Sequence, residues 1–122
     1  MKLESIVPVL SVTDISGTIQ FYSDLLGFTC AAQVDGWASL EKDGVELMLA
    51  LPNAHLPFEK PHFTGSLYFK LDKPEHVDDL WQRIKDKVRV VYPVEDFDYG
   101  MREFGIYDNN GYILNFGSEI PD

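Results

Sequence analysis

The chain has 122 residues, 45% of them hydrophobic, and a formal net charge of −10. This length fits one domain with a sizeable core. The acidity argues against a nucleic-acid partner, because phosphate binding needs clustered Lys and Arg, whereas it would suit a cationic ligand or would keep the surface soluble.

No apolar run approaches the roughly 20 residues of a membrane span, and the first residues lack the basic start and apolar block of a signal peptide. The lone Cys30 allows no internal disulfide, as is usual in a reducing compartment. We therefore expect no membrane association and a cytoplasmic location.

The first part of the chain predicts a strand, a helix and three more strands. An apolar, β-branched run predicts a strand at 5–12, and Thr13-Asp14 then offers a helix N-cap. Apolar residues recur at helical spacing up to Gly27, a typical C-cap residue. The next predicted strands are 28–34, 37–41 and 45–51, separated by the turn formers Asp35-Gly36 and Asp43-Gly44.

Residues 52–64 contain three of the seven prolines and predict an irregular connector. Beyond the connector the same order returns, with a helix that starts at Asp72-Lys73-Pro74 and carries an apolar stripe ending at Val88. Asn110-Gly111 predicts a two-residue hairpin turn with both residues at positive φ. The strands predicted here are 66–71, 88–94, 102–107 and 112–117.

The two halves share a register, since Val7 and Ser66 are 59 positions apart, as are Phe21-Tyr22 and Leu80-Trp81. This repeat predicts an α+β fold of two tandem βαβββ modules that form a curved mixed sheet with a concave cleft. We expect one domain at 1–122, with module one at 1–51, the connector at 52–64 and module two at 65–122. Each module alone would expose a sheet face, so we expect a homodimer, with the modules paired within one chain or exchanged between chains.

Several stretches make the chain similar to the vicinal oxygen chelate superfamily, which contains glyoxalases, extradiol dioxygenases, fosfomycin-modifying enzymes and bleomycin-resistance proteins. The resemblance implies the glyoxalase/bleomycin resistance fold over nearly the whole chain. The stretches that carry it are 21–28, 36–40, 44–49, 99–104 and 108–114.

The resemblance also locates the metal ligands of the metal-dependent members, on the first and last strands of each module. Those positions fall on Val7, Ser66 and Asn115, and on either Glu46 or Met48, depending on how that strand is counted. A single carboxylate does not hold a catalytic metal, so we expect no metal, no cofactor and no catalytic residue. The alternative is a lyase or dioxygenase that recruits Zn, Ni, Fe or Mn through other residues or uses Glu46 as an acid or base.

The bleomycin-resistance branch lacks these ligands, and its dimers sequester a bulky, often cationic drug in clefts lined by aromatic side chains. Its resemblance to this chain implies metal-free binding of an antibiotic or another planar or cationic small organic molecule. A regulatory or interaction module that has kept the fold and lost the pocket is the third possibility.

The candidate ligand-binding residues combine stacking surface with a few polar groups. Core packing or dimer burial is the competing explanation for the aromatic ones, a solvent-facing role for Glu46, and a hydrogen bond to backbone or water for Asn115. Arg102 and Glu103 are expected to form part of a cross-strand surface pair, and all three histidines to be solvated. The candidates are Trp37, Glu46, Met48, Phe58, Phe63, Ser66, Tyr68, Tyr99, Met101 and Asn115.

Overall fold

Two βαβββ units follow one another in the computed structural model, which describes residues 1–122. The first unit is Met1–His62 and the second is Phe63–Asp122, so the boundary falls inside the predicted connector. The predicted α+β class and the repeated order of elements are confirmed, whereas the single-domain assignment stays a prediction. Neither helix is long and apolar enough to cross a membrane.

The first unit contains one helix and a four-stranded mixed sheet in the order β1-β4-β3-β2. Strand β1 runs parallel to β4, and the other neighbours are antiparallel. Its elements are β1 (Val9–Ser11), α1 (Ile15–Leu26), β2 (Thr29–Val34), β3 (Trp37–Lys42) and β4 (Val45–Ala50).

Local chemistry sets the ends of α1 and the tight turn after β3. Asp14 caps the helix by accepting a hydrogen bond from the Gly17 amide at 2.9 Å, and Gly27 ends it in the left-handed conformation. Asp43 and Gly44 have φ values of 52° and 81°, as a two-residue hairpin turn between antiparallel strands requires.

The second unit repeats this arrangement with the strand order β5-β8-β7-β6. Strand β5 is parallel to β8, and both other pairs are antiparallel. Its elements are β5 (Ser66–Lys70), α2 (Pro74–Ile84), β6 (Arg89–Asp96), β7 (Met101–Tyr107) and β8 (Ile113–Glu119).

Each sheet buries one face against the helix of its own unit. In the second unit, Phe104 stacks on Phe116 and meets the ring of the half-buried Trp81 of α2 at 5.1 Å between centroids. In the first unit the equivalent layer is aliphatic, because Leu40, Leu47 and Leu49 are fully buried. We call the other side of each sheet, turned away from its helix, the open face.

Two predicted element ends are wrong by several residues. The strand predicted at 5–12 contains only Val9–Ser11. Its pairing with β4 starts at the Pro8 carbonyl, which accepts from the Met48 amide, and Pro8 has no N–H with which to extend the pairing. The apolar stripe predicted up to Val88 is cut short, because α2 ends at Ile84.

The connection from β7 to β8 is also longer than the predicted two-residue turn. Gly111 has φ 87°, but Asn110 is not at positive φ. The Asp108 carboxylate accepts from the backbone amides of Asn110 and Tyr112 at 2.8 and 2.9 Å, and this bonding stabilises the wider loop.

Candidate functional site

Alternation along β7 places an acidic side chain on the open face of the second sheet. Arg102 and Phe104 point towards α2, so Met101, Glu103 and Gly105 point the other way. Glu103 is only 3% exposed. A buried carboxylate needs hydrogen-bond donors, and tyrosines supply them here.

Three phenol groups donate to this one carboxylate. The Tyr92 hydroxyl donates to one oxygen of Glu103 at 2.6 Å, and the Tyr99 hydroxyl donates to the other oxygen. Tyr68, on β5, also hydrogen-bonds Glu103. Together with Asn115 these residues form what we call the tyrosine–glutamate cluster.

Two glycines make room for the tyrosine rings of the cluster. A Cβ on Gly105 would lie 2.5 Å from the Tyr92 ring, and one on Gly117 would lie 2.0 Å from the Tyr68 hydroxyl oxygen. Side chains at these two positions would push the hydroxyls away from Glu103. The cluster therefore depends on small residues opposite large ones across neighbouring strands.

Asn115 is 8% exposed and faces the same side as Glu103. Its amide nitrogen donates to the Tyr92 hydroxyl oxygen at 2.9 Å. The Tyr92 hydroxyl thus accepts from Asn115 while it donates to Glu103. The amide fixes the orientation of Tyr92 and completes a hydrogen-bonded chain of three side chains.

The cluster holds its tyrosines in the neutral form. The hydrogen bond to Glu103, reinforced by burial, raises the pKa of Tyr99 to about 12. Burial is the first cause of the raised pKa of both Tyr68 and Tyr92, and the charge and hydrogen bonding of Glu103 add to it. All three phenols therefore keep their protons, and their hydroxyls remain donors at neutral pH.

Glu103 belongs to none of the ion pairs in the structure. The predicted cross-strand surface pair is formed by Arg102, which binds Asp96 of β6 and also Asp78 of α2, at 2.9 and 2.8 Å. Glu103 takes no part in it, because adjacent strand residues point to opposite faces. The negative charge on Glu103 is therefore hydrogen-bonded but not neutralised by a cation.

A tight turn between β6 and β7 carries Tyr99. The Phe97 amide donates to the Met101 carbonyl, and the Gly100 amide donates back to the Phe97 carbonyl. The Phe97 ring stacks on Tyr99 and meets Tyr92 edge-on. This turn brings a 62% exposed aromatic ring to the edge of the cluster.

The open face of the first sheet has a different chemistry. Trp37, Ser39, Glu46 and Met48 lie on it, and the Ser39 hydroxyl donates to Glu46 at 2.8 Å. Both Glu46 and Met48 are half-buried. No tyrosine takes part, so this face lacks the phenol donors of the second unit.

Strand register resolves which residue of β4 matches Asn115. Val9 pairs with Met48 in the first unit, and Tyr68, 59 positions after Val9, pairs with Asn115 in the second. Met48, not Glu46, is therefore the counterpart of Asn115.

By the resemblance noted above, the metal positions of the metal-dependent relatives would then fall on Val7, Met48, Ser66 and Asn115. An alkyl group, a thioether, a hydroxyl and an amide do not fit Zn, Ni or Fe. No group of three or more His, Cys, Asp or Glu side chains comes together to offer another metal site.

The remaining candidates are dispersed. Three of them lie on the open face of the second unit, namely Ser66, Tyr68 and Met101. Phe63 instead meets the buried ring of Tyr112 edge-on. The Phe58 carbonyl accepts from the Ser11 hydroxyl at 3.4 Å in the first unit.

None of the candidate residues lines the surface grooves of about 450 and 540 Å³ found at the end of β8 and the start of α1. The histidines behave as predicted, because His55, His62 and His76 are all exposed.

Two members of the cluster, Tyr92 and Glu103, were not predicted from the sequence. A usable signal existed for Glu103, since it lies two residues from Met101 and so shares its face. Tyr92 lies between two register shifts in the pairing of β6 with β7, and alternation cannot be followed through such irregularities.

Comparison with known proteins gives both sequence and structural relatives. A bleomycin resistance protein from Geobacillus stearothermophilus is 28% identical over 127 residues, which cover 93% of this chain and 96% of that protein. One from Staphylococcus aureus matches with the same identity and coverage.

Among solved structures, a glyoxalase/bleomycin resistance protein/dioxygenase from Nocardioides has a TM-score of 0.81 at 19% identity, over 98% of this chain and 85% of that one. A lactoylglutathione lyase from Agrobacterium tumefaciens has a TM-score of 0.74 at 19% identity, over 94% and 92%. At these identities the structural likeness establishes the fold.

The sequence match extends over nearly the whole chain. Residues 3–116 fit the family that comprises glyoxalases, bleomycin resistance proteins and dioxygenases. Both βαβββ units fall within the matched residues. The chain belongs to the Glyoxalase/Bleomycin resistance protein/Dioxygenase superfamily.

Proposed function

We propose that this protein binds and sequesters an antibiotic or another planar organic molecule without a metal ion. The observation that carries the proposal is the set of side chains at the family's metal positions, Val7, Met48, Ser66 and Asn115. The sequence relatives that are named bleomycin resistance proteins support the same choice.

Without a metal, affinity must come from aromatic surface and from a few oriented polar groups. The second unit's open face offers Tyr68 and Tyr99, which are 46% and 62% exposed. The first unit's open face offers Trp37 and Met48, both half-buried. Each of these two faces by itself offers surface on which a planar ligand can stack.

We further propose that the protein works as a homodimer in the cytoplasm. Exposed apolar side chains such as Leu3, Ile6 and Val34 offer surface that a partner chain could cover. The free Cys30 agrees with a reducing compartment. Analytical ultracentrifugation should give the mass of two chains, and a monomer at micromolar concentration would remove the dimer from the proposal.

Titration calorimetry tests the binding function directly. Metal-free bleomycin should bind with similar affinity in buffer and in buffer with a chelator, and Tyr68→Ala should weaken binding by about tenfold through lost stacking area. Val45→Ala, a truncation on the first unit's β4, is the matched control and should bind as the native protein does. No heat with bleomycin or with a broad panel of planar antibiotics would refute the proposal.

Elemental analysis separates this function from the enzymatic alternative. Protein purified without chelator should contain far less than one Zn, Ni, Fe or Mn per chain. Near-stoichiometric metal, together with turnover that disappears in Glu46→Gln, would instead identify a lyase or dioxygenase with an unusual ligand set.

A further inference from the structure

The tyrosine–glutamate cluster contains a buried negative charge that the protein leaves without a counter-charge. Glu103 is 3% exposed and takes part in none of the ion pairs. Buried carboxylates in proteins are normally paired with a cation. Its surroundings are phenol hydroxyls, which hydrogen-bond the charge without cancelling it.

The orientation of these phenols decides what an approaching molecule meets. The hydroxyls of Tyr92 and Tyr99 are directed at the two oxygens of Glu103, and Asn115 donates to Tyr92 as well. Tyr68 and Tyr99 nevertheless remain 46% and 62% exposed, so a ligand can reach them. A ligand finds aromatic carbon surface with a negative charge behind it.

Both features attract cations of one kind. An aromatic ring presents its negative face to a cation, and a carboxylate that accepts the phenol proton's hydrogen bond increases the electron density of that ring. A primary ammonium would lose more hydration here than it regains, because three phenols already use most of the acceptor capacity of the carboxylate. A quaternary ammonium, sulfonium or guanidinium group is weakly hydrated and loses less.

We propose that the tyrosine–glutamate cluster is a subsite for a weakly hydrated organic cation, bound on the rings of Tyr68 and Tyr99 with Glu103 as the buried counter-charge. This inference rests on the proposed binding function and specifies the charged part of its ligand. Glu103 and the tyrosines then determine which cations are bound.

The test compares choline with its neutral isostere 3,3-dimethylbutanol and with ethanolamine, a primary ammonium of similar length. Binding is followed through the proton NMR shifts of tyrosine rings during titration. Choline should bind about tenfold more tightly than either comparison compound, within the range of cation–π contacts that are partly shielded from water. Equal affinity for choline and the neutral isostere would overturn the inference.

Variants locate the effect. Glu103→Gln should remove most of the preference for choline, whereas Glu75→Gln, which deletes the same charge from an exposed position on α2, should leave it unchanged. Tyr99→Leu should weaken choline binding by about fivefold, and Tyr99→Phe, which keeps the ring, by less. Because Tyr99 is 62% exposed, its variants still test the site if Glu103→Gln fails to fold.

The two proposals fail separately. If bleomycin binds but choline shows no preference and Glu103→Gln changes nothing, the cation subsite is wrong and the sequestering function stands. If neither bleomycin nor any planar antibiotic binds, the proposed function fails, whatever choline does. Choline binding that depends equally on Glu75 would assign the effect to net charge and would also overturn the subsite.

Discussion

The two sheets share a register but carry different side chains on their open faces. In the second sheet the large Tyr92 lies opposite Gly105 on the neighbouring strand. At the corresponding place in the first sheet, two small residues face each other, Ala32 and Ser39. Corresponding positions, first unit before second, are Val9 and Tyr68, Trp37 and Glu103, Ser39 and Gly105, Met48 and Asn115, and Ala50 and Gly117.

The comparison indicates that the cluster forms only where two residues match each other, a carboxylate with its phenol donors or a large ring with a glycine. Glu103 alone would be a buried charge without donors, and Tyr92 alone would collide with any side chain at position 105. Matched substitutions in the two units test whether their open faces differ in this way.

Removing the central carboxylate should have the largest effect. Glu103→Ala leaves the Tyr92 hydroxyl without its acceptor, and we expect the free energy of unfolding to fall by about 2–3 kcal/mol, the range for hydrogen bonds to charged groups. Glu46→Ala, in the first unit, removes an acceptor for Ser39 on a half-buried side chain and should cost less than about 1 kcal/mol. Urea denaturation measures both, and equal losses would erase the distinction between the two faces.

Filling the space under Tyr92 should have the next largest effect. Gly105→Ala brings a Cβ to 2.5 Å from the Tyr92 ring and should destabilise the protein by about 1–3 kcal/mol through overpacking. In a Tyr92→Ala background the same change should cost less than about 0.5 kcal/mol, because nothing is left to displace. A double-mutant cycle with no coupling would show that the ring does not need the glycine.

The two hairpin turns should respond differently to alanine. Asp43 is at φ 52° whereas Asn110 is not at positive φ, so Asp43→Ala should cost about 1 kcal/mol of left-handed backbone strain. Asn110→Ala should change the free energy of unfolding by no more than a few tenths of a kcal/mol. Thermal denaturation of both variants checks this ranking, and the reverse order would contradict the turn assignments.

The smallest expected effect concerns the ionisation of Tyr99, and it can be observed only at alkaline pH. The raised pKa of Tyr99, about 12 against an ordinary 10.0, means that the fold favours the protonated phenol. The resulting stabilisation is fully present below about pH 10 and is lost as the pH rises towards 12. Tyrosinate absorbance should show a tyrosine that ionises at higher pH in the native protein than in Glu103→Gln. Identical titrations of the two proteins would show that Glu103 does not raise the pKa of Tyr99.

Much of the fold was predictable because its signals are local. Helical spacing, the Asp14 cap and the Gly27 stop identified α1, and the 59-residue repeat identified the second unit. Pro8 was visible in the sequence, but its carbonyl bond to the Met48 amide, which marks where pairing starts, was not.

The site was less predictable because it depends on register and on one turn. The hydrogen-bond partners of Glu103 come from β5, β6 and the turn before β7. The register shifts on both sides of Tyr92 mean that strand alternation does not predict which face of the sheet its side chain is on. Asn115 could be placed on the correct face, yet its bond to Tyr92 required the register. The choice between Glu46 and Met48 was resolved only when the two parallel pairings were compared.

The short turn that carries Tyr99 also bears on how such a protein could change over generations. It is closed by its own backbone hydrogen bonds around Phe97 and Gly100, so its sequence can vary while the flanking strands keep their pairing. Under the proposed binding function, substitutions at Tyr99 would change which compounds are bound, whereas Gly100, at φ 84°, has to stay a glycine for the turn to close.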